Sequence, residues 1–317
     1  MMRLGIDLGG TAIKSGLVSD TGEILFPETT PTNTQGGEQA VLDTLTDVCR
    51  RQLERESVSA IGIGAPGQID SQNGVLVCAA NLPLQNTPVS RVLGERLGVP
   101  VFLENDANCA LYGETFAGAG KHADNFLLVT VGTGVGGGIR IGGGIYQGVD
   151  GRAGEFGHMT VDPNGLPCPC GRTGCWERYA STSALCRMTE KAAKAFPESI
   201  LAQQIAESRG VIDGRTVFRA LRSGCPAAGT ALDDFSRWLA IGLDSLTTIF
   251  RPEQIVLAGA IFREGELLLS RIRRFCREPE RLSVSTLDGK AGLIGASLLP
   301  ERNDPSSPIS HLLRRIG

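Results

Sequence analysis

The sequence predicts an α/β protein built from two related halves with a ligand held between them. Two observations carry this. Apolar, strand-like runs alternate with longer stretches of helical period, the pattern of sheets covered by helices. In addition, a strand–glycine–strand unit occurs twice, as LGIDLGGTAIKSGLV at residues 4–18 and as LLVTVGTGVGGGIRIGG at residues 127–143.

Taken in order, the first unit reads as two strands around a Gly/Thr turn, because apolar residues resume in rough alternation after it. Helical period follows from Gly37 to Glu56, then a strand from Ala60 to Pro66 with a Gly-Pro stop. A short helix is expected at Val89–Leu97, a strand at Val99–Leu103, and a helix over ANCALYGETF. After the second glycine unit, helical period runs from Trp176 to Lys194 and from Ala228 to Phe250. The latter enters another strand and glycine turn, IVLAGA, at 255–260. The tail after Pro300, ERNDPSSPISHLLRRIG, is polar and rich in Pro and Ser until its end. It reads as loosely held, with HLLRRI as a short docking helix.

At 317 residues the chain has room for two ordinary domains or one large one. With 41% apolar and only 5% aromatic residues, the expected core is aliphatic and the protein soluble. A net charge of −3 and the lack of a long basic run argue against nucleic acid and membrane as partners. The N-terminal MMRLGIDLGG lacks the layout of a secretion signal, and no apolar run is long enough to span a bilayer. A reducing cytoplasm is therefore the expected compartment. Cys49, Cys78, Cys109, Cys186, Cys225 and Cys276 are scattered and read as buried small hydrophobes.

Gly132, Gly134 and Gly137 satisfy G-x-G-x-x-G, with Glu155 further on. That fingerprint indicates a dinucleotide site only where it opens a helix, and the IRIGGGIYQG that follows is strand-like. No G-x-x-x-x-G-K-[ST] loop is present. A glycine turn between strands can still offer backbone N–H groups and Thr hydroxyls to phosphate oxygens, although either copy alone could be an ordinary hairpin. Two copies, each with Thr beside Gly, favour phosphate. Asp7 ends an apolar strand, where an acid is costly to bury without a cation or donors, which suits a metal–phosphate site.

LENDANC, 103–109, sets Glu104, Asn105 and Asp106 immediately after a strand and before a helix. Asp106 can be a plain N-cap, or a general base at a strand's carboxyl end, where α/β folds hold their ligands. GEFGH supplies Glu155 and His158, and Glu177 follows Cys175 by two. Between them, CPCGRTGC concentrates Cys168, Cys170 and Cys175. Three cysteines cannot all pair and are one short of a four-cysteine cage; His158 supplies the fourth ligand of a tetrahedral Cys₃His zinc site. Four protein ligands leave no open position, so the zinc is structural and stiffens the loop carrying Glu155 and Glu177.

DLGGTAIK (7–14), GAPGQID (64–70), NLPL (81–84), ENDAN (104–108), GTGVGGG (132–138), GEFGH (154–158), CPCGRTGCWE (168–177) and AGLIGASLL (291–299) run across almost the whole chain. Together they resemble the ROK family of sugar kinases and repressors, a branch of the actin/hexokinase ATPase superfamily. The resemblance implies a two-domain actin-like ATPase (ribonuclease H-like) fold with the active site in the interdomain cleft. Residues 1–117 would form a smaller N-terminal α/β domain, completed by the C-terminal segment 296–317, and residues 118–295 a larger one carrying the zinc. The implied activity is ATP-dependent phosphorylation of a hexose, glucose first, on its 6-hydroxyl, with Mg²⁺ accompanying ATP and a homodimeric state.

By the same resemblance Asp7, Gly9, Gly10, Thr11 and Lys14 form the first phosphate loop, Thr133 and Gly134 the second, and Gly259 borders the adenosine pocket. Asn81, Asn105, Asp106, Glu155, His158 and Glu177 hold sugar hydroxyls, Gly67 passes beneath the sugar, and Asp106 is the general base. His158 stands next to both metal and sugar, one imidazole nitrogen for each. Ala258 and Ala260 replace glycines usual at the adenosine pocket, and Gln85 sits near where many glucokinases of the family have Trp. Alternative acceptors are N-acetylmannosamine, N-acetylglucosamine and fructose. A sugar-responsive repressor is the reading from another class; it is disfavoured because family repressors place a winged helix-turn-helix before DLGGT, and Asp7 is here the seventh residue.

Overall fold

The first glycine unit folds as an antiparallel pair, β1 (Arg3–Leu8) and β2 (Ala12–Val18). It is seen in a computed structural model that describes residues 2–149, 151–302, 304 and 306–316. The register sets Asp7 opposite Lys14 and leaves the glycines to the turn. β3 (Ile24–Pro31) continues the antiparallel order; its sequence, ILFPETTP, carries too few apolar residues to announce a strand. Next, α1 (Gly37–Leu53) covers the sheet with Val41, Leu45, Val48 and Cys49 on one face, at helical spacing. β4 (Ile61–Ala65) runs parallel to β1 and is buried at every residue, as a strand covered on both faces must be.

A small sheet of β5 (Gln68–Asp70), β6 (Val75–Cys78) and β7 (Gln85–Thr87) follows. After it come α2 (Val89–Leu97), β8 (Val101–Asn105) and α3 (Asp106–Ala117). Glu104 and Asn105 thus belong to the strand and do not follow it. Pairing of Gly64 with Glu104 and Ala65 with Asn105 extends β8 past the apolar run. The order of this sheet is β3-β2-β1-β4-β8.

The second glycine unit gives β9 (Phe126–Val131) and β10 (Val135–Ile141), then β11 (Gly144–Tyr146). Helices α4 (Glu177–Ala180), α5 (Thr182–Ala195), α6 (Ile200–Glu207), α7 (Thr216–Arg222) and α8 (Pro226–Phe250) come next. The expected single helix from Trp176 is therefore two. Ser181 is extended, and its side chain accepts the Ala184 N–H, which starts α5 afresh. β12 (Gln254–Ala258), α9 (Glu266–Arg273), β13 (Leu282–Val284), α10 (Ala291–Ser297) and β14 (Arg315–Ile316) complete the chain.

The second sheet runs β13-β12-β9-β10-β11-β14. Read as β11-β10-β9-β12-β13, it repeats the strand order of the first. The duplication visible in the glycine turns is thus a duplication of topology, with β14 as an addition. That addition corrects the expectation of a loose tail: Ser310–Leu313 forms a 3-10 turn, Leu313 and Arg302 are buried, and β14 pairs in parallel with β11.

By contacts the chain groups into two compact units. One contains Met1–Leu128, Gly138–Gly154 and Ser285–Gly317; the other contains Val129–Gly137 and Glu155–Val284. The first has an aliphatic core of residues such as Leu4, Ile6, Leu45, Ile63 and Leu103. The second buries Trp176, Phe218, Phe235, Leu239 and Leu257. Cys49, Cys109 and Cys225 are buried as expected, Cys186 and Cys276 only partly so, and Cys78 is exposed at the end of β6. No described helix is long and apolar enough to cross a membrane.

Candidate active site

Asp106 opens α3, but the cap of that helix is Asn105. Asn105 is extended, and its Oδ1 accepts the N–H groups of Ala107 at 2.9 Å and Asn108 at 3.3 Å. The capping role open to Asp106 in the sequence thus falls mainly to its neighbour. Asp106 itself stands exposed in the first turn, its Oδ1 accepting the Ala107 N–H at 2.8 Å. Asn105 Nδ2 donates to the Gly67 carbonyl at 3.1 Å, so Gly67, Asn105 and Asp106 form one group. Gly67 has φ +92°, and a Cβ there would lie 2.2 Å from the Cys78 carbonyl oxygen, so only glycine fits.

In the same unit, the turn from Gly9 to Thr11 is tied from outside: Thr32 Oγ1 donates to the Gly9 carbonyl at 2.6 Å and Thr32 N–H to the Thr11 carbonyl at 3.1 Å. Gly10 is in close contact with Asn81, where a Cβ would come within 2.7 Å of the Asn81 Cβ. Lys14 Nζ lies 3.3 Å from Asp7 Oδ2. A cation and a carboxylate beside a glycine turn are the groups a metal-accompanied phosphate requires, and a carboxylate oxygen is the donor Mg²⁺ takes.

The second unit holds the remaining candidates. His158 ends a 3-10 turn, Phe156–His158. Its Nδ1 lies 3.8 Å from Cys168 Sγ, and its Nε2 lies 3.9 Å from Glu155 Oε2. Cys170 and Cys175 are 3.6 Å apart between sulfurs, and all four ligand atoms lie within 4.8 Å of one another. A tetrahedron with zinc–sulfur bonds of about 2.3 Å has edges of about 3.8 Å, so this cluster is zinc-sized. The Arg172 N–H, together with the neighbouring thiols, pulls the Cys170 thiol down to about 6, while burial and the same neighbours push Cys175 up to about 12. Thiols pressed this close compete for protons, a conflict that a divalent cation removes by taking thiolates.

The cysteine loop leads directly into Glu177, the first residue of α4. Glu177 Oε2 accepts the N–H of Val135 at 3.0 Å, and a Cβ on Gly134 would lie 2.2 Å from that oxygen. Two further bonds fasten the same glycine turn: Thr182 N–H to the Gly132 carbonyl at 2.8 Å and Ser183 Oγ to the Thr133 carbonyl at 3.0 Å. The structure therefore joins Glu155, His158 and the cysteines in one group, and Glu177 with Thr133 and Gly134 in another. Gly259, at φ +128°, lies against the Val131 backbone at the end of β9. Ser183 and Thr32 belong to no recognisable motif; only their neighbours across the fold give them a role.

A family model described as ROK family matches residues 3–303. The chain belongs to the ROK family. It is 36% identical over 316 residues to a glucokinase of Streptomyces coelicolor, covering 96% of this chain and 99% of that protein. A xylose repressor of Bacillus subtilis is 32% identical over 275 residues, covering 85% of this chain and 67% of that protein. Among solved structures, the ROK family glucokinase of Streptomyces griseus in complex with glucose and AMPPNP superposes with a TM-score of 0.83 at 36% identity, covering 95% of this chain and all of that one. The ROK chain described here accordingly has the actin-like ATPase fold.

Proposed function

We propose that this ROK protein is an ATP-dependent sugar kinase acting on glucose, whose 6-hydroxyl it phosphorylates. The observation that carries the reading is the exposed Asp106 carboxylate at the start of α3, beside an Asn105 amide already bonded to Gly67. End-to-end likeness to glucokinases, one of them holding glucose and AMPPNP, supports glucose as the acceptor.

In this reading Asp106 accepts the hydroxyl proton as the sugar oxygen forms a bond to the γ-phosphorus and the bond to the ADP oxygen breaks. Asn105, Asn81, Glu155, His158 and Glu177 fix the sugar through its other hydroxyls. The two glycine turns, with Lys14 and Thr133, bind and orient the phosphates through backbone and side-chain donors. Mg²⁺ bound with the nucleotide would offset phosphate charge, and Asp7 is the carboxylate to hold it. Zinc, held by His158, Cys168, Cys170 and Cys175, would be structural. Cytoplasmic residence and a homodimeric state belong to the same proposal, supported by the nine unpaired thiols and by the family resemblance.

A coupled assay of ADP release over glucose, fructose, mannose, N-acetylglucosamine and N-acetylmannosamine tests the acceptor, with glucose expected to give the highest kcat/KM. Asp106→Asn tests the base: kcat should fall by roughly 10²–10⁴ with little change in glucose affinity. Wild-type kcat in that variant would remove Asp106 from the role.

A further inference from the structure

The C-terminal arm reaches Glu104, the one acid of the ENDAN stretch to which the family resemblance gives no role. Glu104 is 3% exposed, one residue before the Asn105 cap and two before Asp106. Its Oε1 accepts the Asn105 N–H at 2.9 Å and Asn108 Nδ2 at 3.2 Å, so one oxygen holds both the strand end and the first turn of α3. Its Oε2 takes Gln147 Nε2 at 3.1 Å and Arg302 Nη1 at 2.8 Å, and Arg315 closes on the same oxygen. Arg315 also bonds Ser71 Oγ at 2.7 Å. Burial alone would push the Glu104 carboxyl up, but Arg315 and Arg302 outweigh it and hold it below the usual range.

A buried carboxylate is costly unless it is paired and its lone pairs are filled. Both cations come from the end of the chain, and that end is itself anchored. β14 pairs with β11, the Ile145 N–H donates to the Arg314 carbonyl at 2.7 Å, Arg140 Nη1 donates to the Leu312 carbonyl at 3.0 Å, and Leu313 is buried. We propose that Glu104, Arg302 and Arg315 are positioning residues for phosphoryl transfer, the C-terminal arm fixing Asn105 and Asp106 through the Glu104 carboxylate. This rests on the reading of Asp106 as the base. A displacement of about 1 Å at a reacting group can cost on the order of 10² in rate, so an arm that holds the first turn of α3 is felt in kcat.

The test uses Arg315→Gln, Arg315→Lys and, as a stability control in the buried face of α1 away from the arm, Val48→Ala, each alone and with Asp106→Asn. Arg315→Gln should lower kcat about tenfold or more while KM for ATP stays within about twofold, because the Asp7–Lys14 turn is untouched. Arg315→Lys should recover part of the loss, keeping the charge without the fork. Val48→Ala should lower the melting temperature at nearly unchanged kcat. In the Asp106→Asn background Arg315→Gln should lower kcat much less, since the base is gone and only the Asn105 contact is left to position. The proposal is overturned by wild-type kcat in Arg315→Gln. It is equally overturned if the loss persists undiminished in the Asp106→Asn background, or if Val48→Ala, at a similar drop in melting temperature, loses as much kcat. Full activity of Asp106→Asn alone would instead strike the base assignment, and the inference with it.

Discussion

Adding one methyl group at Gly134 tests whether Glu177 holds the second glycine turn. Gly134 does not have a positive φ, so its backbone tolerates alanine. The new Cβ would sit 2.2 Å from Glu177 Oε2, and the carboxylate must swing away from the Val135 N–H it accepts at 3.0 Å. Val135 is buried, so its N–H has no ready replacement partner. Losing a hydrogen bond to a charged group costs about 1.5–3 kcal/mol. If that bond shapes the turn that receives phosphate, Gly134→Ala should lower kcat/KM for ATP by roughly 10- to 150-fold. Because the same carboxylate is a proposed sugar contact, glucose KM should rise as well. Glu177→Gln should lose less for ATP, since an amide oxygen in the same place still accepts the N–H. Steady-state kinetics varying ATP and glucose separately, with melting curves beside them, read both effects. A Gly134→Ala enzyme within about twofold of wild type in kcat/KM for ATP would refute the role given to Glu177.

Chelation of zinc should lower the melting temperature by about 4 °C or more, and Cys175→Ser should reproduce it, because binding energy at a structural site is folding energy. Differential scanning fluorimetry with and without chelator checks this, and an unchanged transition in a protein shown to contain zinc would contradict a structural role. Glu104 gives a pH signature. Its folded pKa is lowered, so the stability it contributes is present above the unfolded value of about 4.5 and is lost as pH falls from there towards the folded value. Urea melts from pH 7 to pH 3.5 should show wild type and Glu104→Gln converging at the acid end.

Much of this molecule was legible in short stretches of sequence. Both glycine units fold as strand–turn–strand because alternation and glycine position are local properties, and α2 has the bounds its periodicity predicts. The Cys₃His cluster was legible for the same reason: three cysteines sit in one tight loop, and His158 is held only a short loop away. The break at Ser181 was not, because apolar spacing carries on through a cap.

The sequence by itself determined the α/β alternation, the duplicated glycine turns, the Cys₃His cluster and the carboxylates available for chemistry. Only the tertiary structure decided how those carboxylates are placed and partnered. It made Asn105 the main cap and left Asp106 exposed, because β8 extends along β4 as far as Asn105. It brought Arg302 and Arg315 to Glu104 from 198 and 211 residues away. The physical reason is that burying a charge requires partners, and folding draws them from whichever part of the chain can reach.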